Sequence, residues 1–255
     1  GSYIYAKGSV NWDKAVTQLG GTLNLNDDKA SGSGFGFGFY FRPSEKLDVS
    51  IAYRSPIDMK ADKGTVSFNI SPALYPALGL DASGKDSFKA TLPLVDEYTI
   101  GVTYKVTPKW LVSGDFNYTG WDQYNSLTLD FANAPIGNQP NDPTVLVSPK
   151  NFESTQTWRI GTQYQINDMI AARAGYYYDE SPYTDENFQA ETPSFNSNVV
   201  TAGLGFKFAK GIGVDLAGGI AFPKSREVKN AYNNFYGQAK AKAYYFGLGL
   251  SYNPF

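Results

Sequence analysis

Between residues 34 and 54 the chain reads GFGFGFYFRPSEKLDVSIAYR, and no other stretch restricts its possible folds as much. In extended form it places Phe35, Phe37, Phe39 and Phe41 on one side and Gly34, Gly36, Gly38 and Tyr40 on the other. Past a tight turn over 42–46, Leu47, Val49, Ile51 and Tyr53 share a face, with Asp48, Ser50, Ala52 and Arg54 opposite. A period of two is the signature of a strand. Four phenylalanines in a row are too apolar for water, while the opposite face is too polar and too small for a packed soluble core. A ribbon with hydrocarbon outside and a wet or ligand-filled lumen inside satisfies both faces.

The same alternation recurs in ten segments: 3–12, 34–41, 47–55, 96–106, 110–118, 158–166, 170–178, 200–208, 212–222 and 238–252. Short turns at 42–46, 107–109, 167–169 and 209–211 alternate with long loops at 13–33, 56–95, 132–150, 179–197 and 223–237. The second of these has room for a short helical turn near Pro72, Pro76 and Gly79. Short turns at one end and long loops at the other characterise bacterial outer-membrane barrels. The outward aromatics also sort by height. Phe41, Tyr104, Trp110, Tyr164, Phe208 and Tyr252 lie beside short turns, and Tyr53, Tyr98, Tyr118, Trp158, Tyr178, Phe222 and Tyr244 lie one crossing away. Two such belts mark the two headgroup boundaries. The pattern predicts an all-β fold, an antiparallel up-and-down transmembrane β-barrel with about ten strands visible, forming a single domain over 1–255.

Composition narrows the chemistry. No apolar run approaches the roughly 18 residues of a membrane helix, which leaves strands as the spanning element. The net charge of −2 gives no general attraction to nucleic acid. There is no Cys, hence no disulfide framework and no thiol chemistry. There is also no His, which removes Ser-His-Asp hydrolysis, Cys-His chemistry and His-ligated zinc. The chain is not expected to be an enzyme, and neither a cofactor nor a metal is expected. The spaced glycines of 31–38 mimic a phosphate loop, but no helix pattern follows them. Asp27-Asp28 and the acidic 81–86 loop lack EF-hand spacing and read as solvated loops.

Several strings carry a family resemblance: Leu92-Pro93-Leu94 through Tyr118-Thr119-Gly120-Trp121, then Trp158-Arg159-Ile160-Gly161, Arg173-Ala174-Gly175, Asp179-Glu180-Ser181-Pro182, and the aromatic closing strand. Together, in this order, they resemble the outer-membrane long-chain fatty acid and hydrocarbon transporters of the FadL/TodX type. The resemblance implies a fourteen-stranded barrel with an amino-terminal hatch, of which this chain looks like the carboxy-terminal portion, without the hatch and first strands. It further implies location in the bacterial outer membrane and passive uptake of hydrophobic compounds such as long-chain fatty acids. The partners implied are membrane lipid, detergent and a hydrophobic small-molecule ligand. A structural or secretion-complex barrel with an outer-membrane protein partner is the alternative, as is a shortened or engineered barrel without transport activity. Pro254 moves Tyr252 and Leu250 out of the usual assembly-signal register with the terminal Phe255.

A fatty acid combines a carboxylate with a long apolar tail, so its site needs a cation beside an apolar pocket. By the resemblance, Lys150 and Asp179 fall on the family's pocket positions. The family's pocket arginine falls on Val10 here, leaving Lys7 or Lys14 to replace it and room for a neutral substrate. Inward Arg54, Arg159 and Arg173 complete the ligand-binding candidates. They read either as a cationic ladder or, preferentially, as a structural network paired with Asp48, Asp115 and Asp215. On the residues alone, Lys150 reads more readily as a solvated loop lysine and Asp179 as a turn aspartate.

Overall fold

In the computed structural model, which describes residues 1–16, 19–190, 192–208, 211–232 and 234–252, the alternating sequence is folded almost wholly into antiparallel strands. In chain order these are β1 (Ser2–Val16), β2 (Gly21–Ser44), β3 (Leu47–Arg54), β4 (Ile57–Asn69), β5 (Lys85–Leu94), β6 (Glu97–Thr107), β7 (Trp110–Thr119) and β8 (Ser126–Phe131). They continue with β9 (Val145–Pro149), β10 (Thr155–Gln165), β11 (Ile170–Asp179), β12 (Ser197–Lys207), β13 (Ile212–Pro223), β14 (Arg226–Asn230), β15 (Phe235–Ala239) and β16 (Ala243–Tyr252). β14 and β15 make a separate hairpin, and the other fourteen share one hydrogen-bonded sheet. The all-β antiparallel expectation therefore holds, with fourteen strands in the sheet rather than about ten. The chain divides into two compact units.

The first unit comprises Gly1–Gly36, Arg54–Asp96 and Gln123–Asn151. Here β1 lies along the first half of β2, followed by β4, β5, β8 and β9. Most of this was expected to be loop. In 13–33, Leu23 and Leu25 alternate with Asn24 and Asn26, and both leucines are buried. The 3–12 segment, expected to cross the membrane, is β1, paired with β2 from Gly36 back to Gly21. The unit has a dry core that includes Leu25, Val66, Phe68, Phe88 and Phe131. A bulge in β4 falls at Gly64, where an added Cβ would stand 2.4 Å from the Phe88 ring. Only a residue without a side chain lets that ring reach the core. The expected helical turn appears as two 3-10 turns, Pro72–Leu74 and Pro76–Leu78, closed by Gly79 at φ +64°. Proline begins each turn because its missing N–H is not needed there, and glycine ends the second because it tolerates the left-handed region.

Asp86 pins the 132–144 connection to this unit. Its carboxylate accepts from Asn133 N (2.9 Å), Asn133 Nδ2 (2.9 Å), Ala134 N (2.8 Å) and Ser87 N (2.9 Å). Burial pushes the carboxyl up, but these four donors together outweigh it and hold Asp86 below the ordinary carboxylate value.

The second unit comprises Phe37–Tyr53, Glu97–Asp122 and Phe152–Phe255. Nine strands follow one another side by side: the end of β2, then β3, β6, β7, β10, β11, β12, β13 and β16. These match nine of the ten expected segments, and the meander is up and down as expected. The short turns have local causes. Asn167 Oδ1 accepts from Met169 N and Ile170 N, both at 2.9 Å, and reverses β10 into β11. Gly211 stands at φ +74° just before β13; residues 209–210 of that turn lie outside the described residues, as do Pro254 and Phe255. The 223–237 segment, expected as loop, contains the β14–β15 hairpin. Gln238 and Ala239 pair with β14 in that hairpin, so the last strand of the sheet starts at Ala243 instead.

Outward side chains of this unit are large, apolar and uncovered: Ile160 is 57% exposed and Val200 52%. Rings along one height contact one another, with centroids 5.2 Å apart for Phe37–Tyr53, 4.6 Å for Tyr53–Tyr98 and 6.1 Å for Tyr98–Tyr118. At the other height Trp110 stands opposite Tyr164 in the register, and its Nε1 donates to Thr162 Oγ1 at 2.8 Å. Tyr98 and Tyr104 are six residues apart on β6, about 20 Å of extended chain. Ile100 and Val102 take the outward positions between them, so the stretch that separates the two belts is apolar.

Candidate functional site

The inner face of the second unit carries the polar half of the alternation. Residues 113, 115 and 117 of β7, 157 to 163 of β10, 173 to 179 of β11 and 201 to 205 of β12 supply it at every second position. Arg159 Nη1 donates to Asp115 Oδ1 at 2.6 Å, its direct cross-strand partner. Arg173 reaches two ways, from Nε to Gln163 Oε1 at 2.7 Å and from Nη1 to Asp215 Oδ1 at 2.5 Å. The second contact passes over β12, and glycine makes it possible. A Cβ on Gly205 would stand 2.7 Å from Asp215 Oδ1 and 3.0 Å from Arg173 Nη1.

Small residues leave space between these polar anchors. A cleft of about 440 Å³ is lined by Asn117, Thr157, Arg159 and Asp179, with the rings of Phe152 and Tyr183. A groove of about 420 Å³ runs over Ser113, Gly161, Gly175 and Gly203 to Arg173. A third hollow, about 130 Å³, involves Gln165, Arg173, Lys207 and Asp215. The three succeed one another along β10 and β11. A larger hollow of about 820 Å³ is lined mainly by outward residues such as Leu204, Leu216, Ile220 and Phe246. Those side chains belong to the face assigned to hydrocarbon, so that hollow is part of the lipid-facing surface.

Each candidate from the sequence has a definite place. Asp179 ends β11 and accepts from Thr157 Oγ1 at 2.8 Å, sharing the first cleft with Arg159. Arg173 lies in the groove and hollow beyond it. Lys150 and Arg54 belong to the first unit. Lys150 follows β9 and is half-buried, with its backbone N donating to Asn125 O at 2.8 Å, whereas Arg54 ends β3 and is exposed. Asp115 and Asp215 pair with arginines as the network reading expected. Asp48 pairs with Arg42 at 2.5 Å and accepts from Tyr40 Oη. Of the two replacement lysines, Lys7 is exposed and Lys14 Nζ sits 5.7 Å from the Trp12 ring centroid.

An aromatic cluster was missed. Rings connect from Trp121 to Phe152 (5.9 Å), Tyr183 (4.6 Å) and Phe188 (5.9 Å), and Phe188 meets Phe195 (5.5 Å) and Phe235 (6.5 Å). These rings come from segments without strand alternation. Their density in what read as polar loop was the available signal.

Comparison with known proteins adds the family. The model described as "Outer membrane protein transport protein (OMPP1/FadL/TodX)" matches residues 6–254. The long-chain fatty acid transport protein of Escherichia coli K12 is 25% identical over 208 residues, covering 80% of this chain and 44% of that protein. A 47 kDa outer membrane protein of Pasteurella multocida is 24% identical over 214 residues, 82% of this chain and 47% of that protein. The chain thus spans about half the length of these curated relatives. Among solved structures, a Pseudomonas aeruginosa FadL homologue superimposes with a TM-score of 0.74 at 19% identity, covering 91% of this chain and 55% of that one. The Pseudomonas putida toluene transporter TodX gives 0.56 at 15%, covering 89% and 59%. These likenesses show the fold, that of outer-membrane β-barrels. With its family model matched from residue 6 to residue 254, the chain belongs to the OMPP1/FadL/TodX family of outer-membrane transport proteins.

Proposed function

We propose that the chain forms the membrane-crossing part of a passive uptake route for hydrophobic compounds of the long-chain fatty acid class, without covalent chemistry. One observation carries this reading: three successive cavities follow the inner face of β10 and β11, each with an arginine in its wall, and the middle one is floored by Gly161, Gly175 and Gly203. Glycine gives an apolar chain a smooth, wide floor. The arginine–aspartate pairs keep that floor wet and near neutral, so neither end of an amphiphile is held tightly. Arg159 and Asp179 in the first cleft are the proposed headgroup contacts; Lys150, in the first unit, is a separate candidate on the family pattern. Membrane lipid and a hydrophobic small molecule are the partners in this reading.

Reconstitution in liposomes that enclose a fatty-acid reporter tests it. Oleate should enter faster than into protein-free liposomes. Gly161→Phe should slow entry at least severalfold while the sheet stays folded, because a Cβ at Gly161 meets Ser113 Oγ at an ordinary 3.5 Å and the ring must then fill the groove. Unchanged entry in a folded Gly161→Phe protein would remove the β10–β11 route.

A further inference from the structure

One buried polar group has no role in the route above. Arg226 opens β14 with its side chain 13% exposed, and its Nη1 is buried with no hydrogen-bond partner among the described residues. A buried donor left unpaired is costly, the more so when charged, so it calls for an oxyanion or water to complete it. The partner it does have is weakly placed: Arg226 Nε meets Asp185 Oδ1 at 3.2 Å, and the Asp185 side chain is 44% exposed. The two-bond fork that a guanidinium offers a carboxylate is therefore not used by Asp185 alone.

The surroundings are apolar. The guanidinium carbon lies 5.9 Å from the centroid of Phe188, which is 2% exposed. Phe235 stacks on Phe188 at 6.5 Å and 16°, yet is 39% exposed. Neighbouring Tyr232 and Tyr236 on the same hairpin are also exposed. Aromatic surface thus leads from solvent to a cation whose donor set is incomplete. That combination matches an amphiphile, with its tail along the rings and its headgroup at the guanidinium.

We propose that Arg226, with Phe188 and Phe235, is a recognition site for the carboxylate of a long-chain amphiphile, in which the ligand's carboxylate takes over from Asp185. The donor is shut off from solvent, so binding requires the segment bearing Asp185 and Phe188 to lift. Ties that hold it down include Lys229 N to Asp185 O (2.9 Å) and Asn230 Nδ2 to Phe188 O (2.9 Å). The proposal rests on the uptake reading for its substrate class.

Binding of oleate and of methyl oleate to the whole chain in non-ionic detergent provides the test. Arg226→Gln should weaken oleate about tenfold, the size of one charge-assisted hydrogen bond, and leave methyl oleate unchanged. Asp185→Asn, which removes the competing carboxylate, should tighten oleate severalfold and again leave the ester unchanged. Equal weakening of acid and ester by Arg226→Gln would make Arg226 a structural brace and overturn the proposal, as would no tightening in Asp185→Asn. A wild-type chain that binds oleate with an affinity that Arg226→Gln leaves unchanged would overturn it and leave the uptake reading standing. One that binds neither would overturn both.

Discussion

In the first unit Leu25, Val66 and Phe131 are almost wholly buried, whereas in the second Ile160, Val200 and Phe222 leave more than half of their surface open. Both sets arise from the same alternation of apolar and polar residues along antiparallel strands. The difference lies in what meets the apolar face. In the first unit the protein's own 3-10 turns and the 132–144 connection supply the cover, through Leu78, Leu80 and Ala134. In the second unit no described residue covers it, and hydrocarbon must. Alternation therefore specifies a two-faced ribbon but not the solvent on either side. On the polar face of the second unit the pairs Arg159–Asp115 and Arg173–Asp215 stand among glycines.

The widest gap between the units should appear on truncation of a ring. Phe131→Ala should cost the first unit about 3–5 kcal/mol. Ile160→Ala, on the lipid-facing side, should cost under about 1 kcal/mol, since lipid fills the space that the side chain leaves. Hydrogen exchange resolved by segment measures both, and equal losses would erase the contrast. Next in size, Ile160→Arg should destabilise the bilayer-inserted protein by about 2–4 kcal/mol, read from denaturant-driven unfolding in liposomes. A neutral result there would return Ile160 to water.

Asp86→Asn should cost the first unit about 1–3 kcal/mol by weakening a four-donor site. The carboxyl sits below its ordinary value, so its contribution is full above the unfolded-state value near 4. It is lost as pH falls through the lower folded-state value. Protease sensitivity of the 132–144 connection should rise over that window and become flat with pH in Asp86→Asn. The smallest effect belongs to Gly205→Ala. The new methyl would meet two flexible side-chain ends, Asp215 Oδ1 and Arg173 Nη1. We expect a loss of under about 1 kcal/mol by the same unfolding assay, because a wet face lets an exposed ion pair shift. A loss as large as that of Phe131→Ala would mean that the inner face is packed dry.

The membrane strands were legible because their outward aromatics leave a strong signal every second residue. The core of the first unit was not. Around Leu23 and Leu25 the alternation is clear, but Asn24, Asn26, Asp27 and Asp28 give it the look of a polar loop. In β4, two residues intrude between the paired positions Ala61 and Gly64, which breaks the period where a reader would count it. Arg159 and Arg173 were placed on the inner face from their parity alone, and their pairing with carboxylates followed from the cost of an unpaired charge. Arg226 escaped notice because its significance depends on Phe188 and Asp185, some forty residues earlier, and strand periodicity carries no information about such loop contacts.

The rail of touching rings from Phe37 through Tyr53 and Tyr98 to Tyr118 binds four neighbouring strands at one depth. No member can slip along its neighbour without unstacking. A leaflet of the wrong thickness would therefore strain all four together, and the bilayer rim would have to bend before any single strand moved.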